Sequence, residues 1–407
     1  MTLGEEALAA PLPDDEIRAT HGPEPDLVAA RIGVTAIFFA NGFAIGAWAV
    51  AIPEIKVLFG LTDARLSLVL LAAGVGGLAS MPIAGVLPPR LGGTGRALRI
   101  SGPLCGALLA ALPLLHSLSD GMALLAITAF AFGIVNILMD VPMNAHASVI
   151  ETRWRRPIMS SFHAAWSGGG LVGSALGGLI LAHGLGVKAQ LGIEAAVMIV
   201  IAFLATFWIG VGDTQAGGKI FALPERRIVA FGLIALLAVF AEGSVTDWSA
   251  LYLRSEVGMS PGAAAAGFSA YAFMMFLGRL VGDAIIHRLG RKRVIVIGAV
   301  VVFAGAAIAI SLRAPAAGIA GFCLIGLGVA NMVPAAFSAS AAAARSPSLG
   351  IAMTASMAYT AMLAGPPLFG MIASFASLRA SYGLLLLAAA AIAALALAQS
   401  NSTRSDR

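Results

Sequence analysis

Charge is scarce in this sequence. Only 11% of its 407 residues are Asp, Glu, Lys or Arg, against roughly 25% in soluble domains, and that deficit excludes a water-soluble globular chain. Cysteine is almost missing too. Cys105 and Cys323 both fall in apolar segments, where they read as small buried hydrophobes rather than as a disulfide. No His/Cys/Asp cluster has metal-ligand spacing. A Walker glycine loop, HExxH and CxxC are all lacking, as is any Ser/His/Asp arrangement, so neither an enzyme nor ATP drive within the chain is expected. The formal net charge of +5 is no nucleic-acid signal, because the basic residues gather in loops between apolar runs.

What is present is hydrocarbon. Hydrophobic residues make up 59% of the chain and the mean hydropathy is +0.93. Apolar runs of spanning length are too many to be core helices, and their contiguity excludes an outer-membrane barrel. The fold class expected is all-α integral membrane. Twelve transmembrane helices are predicted over 31–53, 66–88, 97–116, 121–149, 158–183, 190–211, 228–253, 263–287, 293–312, 316–343, 349–375 and 380–398. Residues 1–26 are acidic, contain Pro11, Pro13, Pro23 and Pro25, and have no apolar core of a signal peptide. Basic residues divide between the two sets of loops as about 18 to about 6, which by the positive-inside rule puts both termini in the cytoplasm.

The two halves repeat. Phe39-Ala40-Asn41-Gly42, followed by Trp48, is echoed by Phe240-Ala241-Glu242-Gly243, followed by Trp248. Arg90-Leu91-Gly92 is echoed by Arg288-Leu289-Gly290, and Gly133-Ile134-Val135-Asn136 by Gly328-Val329-Ala330-Asn331, each of the last pair with a proline downstream, Pro142 and Pro334. Two pseudo-symmetric six-helix bundles are therefore expected, with a solute site near the midplane between them. The division is a cytoplasmic tail 1–30, a bundle 31–211, a cytoplasmic linker 212–227 with Gly212, Gly217, Gly218 and Pro224, a bundle 228–399 and a tail 400–407.

Several stretches carry a family resemblance over nearly the whole chain. They are Asn41-Gly42 through Trp48 to Ile52-Pro53-Glu54-Ile55; Asp140-Val141-Pro142-Met143-Asn144 with Glu151; Arg156-Pro157-Ile158-Met159-Ser160 with His163 and Ser167; Asp247-Trp248-Ser249; and Gly278-Arg279-Leu280-Val281-Gly282-Asp283. The chain resembles the major facilitator superfamily, in particular a bacterial branch near the fucose permeases that includes a rhizopine-transport-related protein. The resemblance implies secondary transport across the bacterial cytoplasmic (inner) membrane by alternating access, a proton or solute gradient as the drive, and sugar-like cargo. Arg90 and Arg288 stand at the family's gating loops. The aspartate usual before each Arg-x-Gly is replaced by Pro89 and His287, so the customary inner-gate ion pair is lost in the first half. Asp283, one turn before His287, could take part of that role in the second. The fifth helix has Gly169, Gly173, Gly177 and Gly178 but no proline among them, so the antiporter signature is missing.

Candidate roles follow from cost. An ionisable residue inside the hydrocarbon is unfavourable and marks ion or solute routes. Glu242 and Asp140 are the candidate proton carriers, with a neutral acid in a fixed helix contact as the alternative for Glu242. Asn136, Asp140 and Asn144 recur every four residues on one face, reading either as solute path or as a packing network. Asn41, Trp48, Asn136, Asn144, Trp166, Asn331 and Tyr359 are the candidate substrate contacts. Arg90, Arg279, Asp283 and Arg288 are the candidate gate, with Arg279 and Asp283 expected to pair with each other or across to another helix, and direct contact of Arg279 with an anionic solute as the alternative. His163 reads as structural, His146 as facing headgroups or loops, and Trp248 and Tyr252 as interfacial anchors in preference to the alternative of aromatic walls of a solute pocket. The expected protein is a proton-coupled symporter of a small polar organic solute, a monomer in the bilayer, with no cofactor. An exporter of amphipathic compounds and a non-transporting sensor with the same fold stay open.

Overall fold

The computed structural model describes residues 25–156, 158–210, 225–226, 228–345 and 347–399. The expected linker 212–227 lies almost wholly outside them, as do residues 1–24 of the first tail and the tail 400–407. Among the described residues there are twelve helices long and apolar enough to cross a membrane. They are α1 Asp26–Leu58, α2 Asp63–Ala84, α3 Thr94–Ser117, α4 Gly121–Trp154, α5 Met159–Ala182, α6 Gly186–Ala205, α7 Val229–Ser255, α8 Pro261–Leu280, α9 Arg291–Ser311, α10 Pro315–Ala343, α11 Leu349–Phe375 and α12 Leu378–Ala398.

Each predicted span has its helix, but several helices outrun the hydrocarbon. α1 begins at Asp26 rather than 31, so the end of the expected tail is helical, and α4 continues to Trp154. These overhangs meet: the Arg31 guanidinium lies 4.5 Å from the Trp154 ring, a cation–π contact that fixes both ends at one membrane edge. Hydropathy reads where the bilayer stops. It does not read where the hydrogen-bond ladder stops.

Caps mark the turns at the opposite edge. Thr62, Ser260 and Ser377 precede α2, α8 and α12, and their hydroxyls accept from the amides of Arg65, Ala263 and Ala380, satisfying donors that open a helix. At the edge where α1 begins and α12 ends, α4 is tied to α5 by Glu151, which accepts from the amides of Ile158 and Met159 at 2.7 and 2.6 Å. The echoed Arg-Leu-Gly turns also share a backbone state. Gly92 and Gly290 both have φ of +80°, a left-handed conformation that glycine adopts without penalty.

The packing itself is duplicated. In the first half α1 packs on α5 and α6, α2 on α4, and α3 on α4 and α6. In the second half α7 packs on α11 and α12, α8 on α10, and α9 on α10 and α12. Each contact of one half thus has its counterpart six helices on. The halves meet along α5 with α8 and along α2 with α11, again a symmetric pair.

Small residues permit these approaches. A Cβ on Gly42 would fall on the Trp166 carbonyl, and one on Gly169 on the Phe39 carbonyl, so α1 and α5 touch backbone to backbone. Gly178 of α5 meets Gly262 and Ala265 of α8 in the same way across the halves. The fifth-helix glycines are contact surfaces.

Candidate functional site

A central cavity of about 380 Å³ lies between the halves. The first half contributes Asn41 and Trp48 from α1, Asn136 and Asp140 from α4, and His163 and Trp166 from α5; the second contributes Glu242, Asp247 and Trp248 from α7, Arg279 from α8 and Tyr359 from α11. α1 and α7 occupy corresponding places in the two bundles, as do α4 and α10, and the polar residues sit mainly on α1, α4 and α7.

On the first half's wall the polar groups form a chain. The Trp166 indole N–H donates to Asn41 Oδ1 at 2.8 Å, and Asn41 Nδ2 donates to Asn136 Oδ1 at 2.9 Å. Asn41 is buried, at 2% exposure, and one amide satisfies both neighbours. The chain fixes an indole that lines the cavity. Trp48 tilts against Phe132 with centroids 5.9 Å apart.

Arg279 bridges the halves. From α8 it donates Nη1 to Ser167 Oγ on α5 at 2.7 Å and reaches the His163 carbonyl at 3.5 Å. Its other terminal nitrogen, Nη2, lies 3.8 Å from Glu242 Oε1 on α7, and its guanidinium is 5.5 Å from the Trp166 ring. Glu242 is 20% and Arg279 13% exposed at the side chain, so the ion pair is largely removed from solvent and interacts more strongly than a surface pair.

Of the two pairings expected of Arg279 and Asp283, with each other or across to another helix, it is the second that forms. α8 ends at Leu280 and a short helix, Gly282–Leu289, restarts beyond it, so the i,i+4 register is broken between them. Asp283 instead accepts from the Ser160 hydroxyl of α5 at 2.8 Å. Both residues therefore join the halves, Arg279 within the cavity and Asp283 near the edge where α1 begins and α12 ends.

Other sequence candidates fall elsewhere. Asn331 is outside the cavity lining: it sits at a break in α10 and donates to the Gly278 carbonyl at 3.0 Å, supplying a partner at the end of α8 where the helical ladder is interrupted. Asn144 turns back on its own helix, donating to the Asp140 carbonyl at 2.9 Å and the Asp140 carboxylate at 3.3 Å. Its place beside Asp140 is real, but the cavity is lined by Met143 and Asp140 rather than by Asn144. Arg90 and Arg288 are exposed, and no ion pair holds either among the described residues.

The two expected interfacial anchors are corrected. Trp248 is 1% exposed and stacks on Phe369 at 5.5 Å, so it is a wall of the site and no interfacial anchor. Tyr252 is wholly buried and donates to the Ala309 carbonyl at 2.7 Å; its hydroxyl ties α7 to α9. His163, expected to be structural, also lines the cavity, with its ring edge-on to Phe38 at 5.4 Å. Asp247 is a cavity residue to which the sequence reading assigns no role. Its signal in the sequence is its charge alone, an acid inside an apolar span, because five positions set it about 140° round the helix from Glu242.

Buried polarity also occurs away from the cavity. His146 is 1% exposed and shares a 2.7 Å hydrogen bond with Thr94, so it packs inside the first half instead of meeting headgroups. Gln190 of α6 donates to the Ala47 carbonyl of α1 at 3.0 Å and to Glu194 at 2.8 Å. Both cysteines are free, Cys105 buried and Cys323 partly so.

Known proteins agree with this architecture. The family model for the Major Facilitator Superfamily matches residues 34–345. A Yersinia pestis protein named as an uncharacterized MFS-type transporter is 36% identical over 374 residues, covering 90% of this chain and 95% of its own. The membrane protein MosC of Rhizobium meliloti is 31% identical over 350 residues, 84% of each chain. Among solved structures, a bacterial homolog of the human lysosomal transporter Spinster superposes with a TM-score of 0.68 at 15% identity, covering 92% of this chain and 97% of that one. A point mutant of the nucleoside transporter NupG also gives 0.68, at 13% identity, covering 91% and 98%. With a family model spanning most of the sequence and relatives that match nearly end to end, the chain belongs to the major facilitator superfamily and is a multi-pass membrane transporter.

Proposed function

We propose that the protein moves a small polar organic solute across the bacterial cytoplasmic membrane by alternating access of its two halves, coupled to protons through Glu242 and Asp140. The observation that carries this reading is the placement of Glu242. It lines the cavity between the halves and shares Arg279 with Ser167 of the opposite half. A proton on Glu242 removes the charge that holds one side of the guanidinium. Arg279 is then left to its contacts on α5, so one protonation event changes how the halves are tied. Differential contacts of that kind are what a coupling ion must supply.

The cavity volume is at the low end of small-ligand sites, roughly 300–1,000 Å³, which suits a compact solute. Asn41, Asn136 and Thr246 offer hydrogen bonds beside the rings of Trp48, Trp166, Trp248 and Tyr359, a combination suited to a compact solute bearing hydroxyls, sugar-like in that respect. A single chain encloses the cavity, in keeping with a monomer, and the basic loops favour cytoplasmic termini. Asp283 with Ser160 is the inter-half contact best placed to act as an inner gate. Arg90 and Arg288 flank that edge and would act there only after the halves move.

The test is flux in vesicles reconstituted with purified protein and held under an imposed pH gradient. Wild-type vesicles should concentrate a solute only while the gradient lasts. Glu242→Gln should keep downhill exchange and lose the response to the gradient. Proton-linked accumulation unchanged by Glu242→Gln would remove this residue from the coupling path.

A further inference from the structure

We infer that the solute carries a positive charge, as an organic amine does, and that Asp247 is the carboxylate that recognises it; the inference rests on the transport reading above. Three carboxylates line the cavity, Asp140, Glu242 and Asp247, against a single arginine, Arg279. His163 and Tyr359 complete the titratable lining, and neither supplies a fixed positive charge at neutral pH.

The one arginine is already engaged. Arg279 is held by Ser167, by the His163 carbonyl and by Glu242, with its face toward Trp166. Asp140 has the Asn144 amide as its hydrogen-bond partner, at 3.3 Å. Asp247 has no hydrogen bond and no ion pair among the described residues, although it faces the cavity. Two acids on opposite halves, one on α4 and one on α7, therefore lack a cation.

A carboxylate held away from bulk water without a partner is strongly unfavourable. When the cavity is empty, water or a proton covers that cost. When the cavity is filled, the solute displaces the water and must replace its stabilisation. An anionic solute would add like charge to an acidic chamber. A neutral polyol can donate hydrogen bonds but leaves the charge uncompensated. An ammonium group does both, with up to three donors on one compact cation.

The aromatic walls point the same way. Trp248 follows Asp247 in α7 and is locked against Phe369, and Trp48, Phe240 and Tyr359 complete the ring-lined surface. Cations are drawn to the faces of such rings, most strongly where water is excluded. Asp247 is thereby assigned recognition, while Glu242 on the same helix is engaged with Arg279 of α8.

Vesicles bearing the protein, incubated under a pH gradient with a whole small-molecule extract of bacterial cells, read this out by mass spectrometry of the lumen. Accumulation of primary or quaternary amines above protein-free vesicles is the expected result. Asp247→Asn should reduce the accumulated amine by about tenfold, the worth of one charge-assisted hydrogen bond, and Asp247→Glu should restore part of it. Melting curves of both variants at the wild-type temperature identify the loss as recognition rather than misfolding. Accumulation of neutral or acidic compounds in place of amines overturns the inference and leaves the transport reading standing. An amine whose uptake is indifferent to Asp247→Asn overturns the role of Asp247. Accumulation of nothing from the extract overturns the transport reading, and this inference with it.

Discussion

Arg279 on α8 donates to the Ser167 hydroxyl on α5 at 2.7 Å while its other terminal nitrogen stands 3.8 Å from Glu242 on α7. One guanidinium thus holds a group of each half. Arg279→Met should strand the Glu242 carboxylate in a mostly dry site, and breaking such a pair costs about 3–5 kcal/mol. Glu242→Gln in the same background should recover much of that loss. A double-mutant cycle on thermal stability checks this, and additive single effects would contradict the coupling.

The chain from Trp166 through Asn41 to Asn136 leads to a spectroscopic prediction. Asn41→Ala removes the acceptor of the Trp166 indole and the donor to Asn136 together. Leaving the buried N–H unpaired should cost about 1–3 kcal/mol. Trp166 fluorescence, isolated by replacing Trp48, Trp154, Trp208 and Trp248 with Phe, should shift on Asn41→Ala. An unchanged spectrum would show that the indole holds its place without Asn41.

Echoed glycines should behave oppositely. A Cβ at Gly42 would strike the Trp166 backbone, whereas one at Gly243, its counterpart in the repeat, meets nothing within 4 Å. Gly42→Ala should therefore prise α1 from α5 and abolish folded protein. Gly243→Ala should be tolerated, with helix propensity favouring Ala by about 1 kcal/mol. Size-exclusion profiles and melting temperatures of the two variants decide the matter.

At the edge opposite the termini, Glu54 of α1 and Arg254 of α7 approach within 3.3 Å, joining the halves beyond the cavity. Glu54→Gln should loosen that closure. A cysteine placed at Ile45 in the cavity should then be labelled faster by an impermeant thiol reagent supplied from that side. Equal labelling in both backgrounds would mean that the ion pair does not hold the edge shut.

The contrast between Asn41 and Asn331 shows how much of this can be read beforehand. Spans, their number and the duplication follow from hydropathy and from three short echoes, because lipid forces every backbone group into helix and leaves little else to choose. Echoes fix a residue's place along its helix. They do not fix where its side chain turns. Asn41 faces the cavity, whereas Asn331 meets a helix break and turns to the Gly278 carbonyl. The break after Leu280 likewise separates Arg279 from Asp283, and no periodic pattern announces it. Trp248 is misplaced by hydropathy for a related reason: depth along α7 suggests the interface, while the ring's direction is set by its stack on Phe369.

The cavity belongs to neither bundle alone, since Trp48 stands on one wall and Trp248 on the other. Cargo must let go of one wall for the walls to part. A rigid compound that grips both tryptophans at once would be carried nowhere and would act as a wedge. Inhibitors of this protein should accordingly be longer and stiffer than anything it carries.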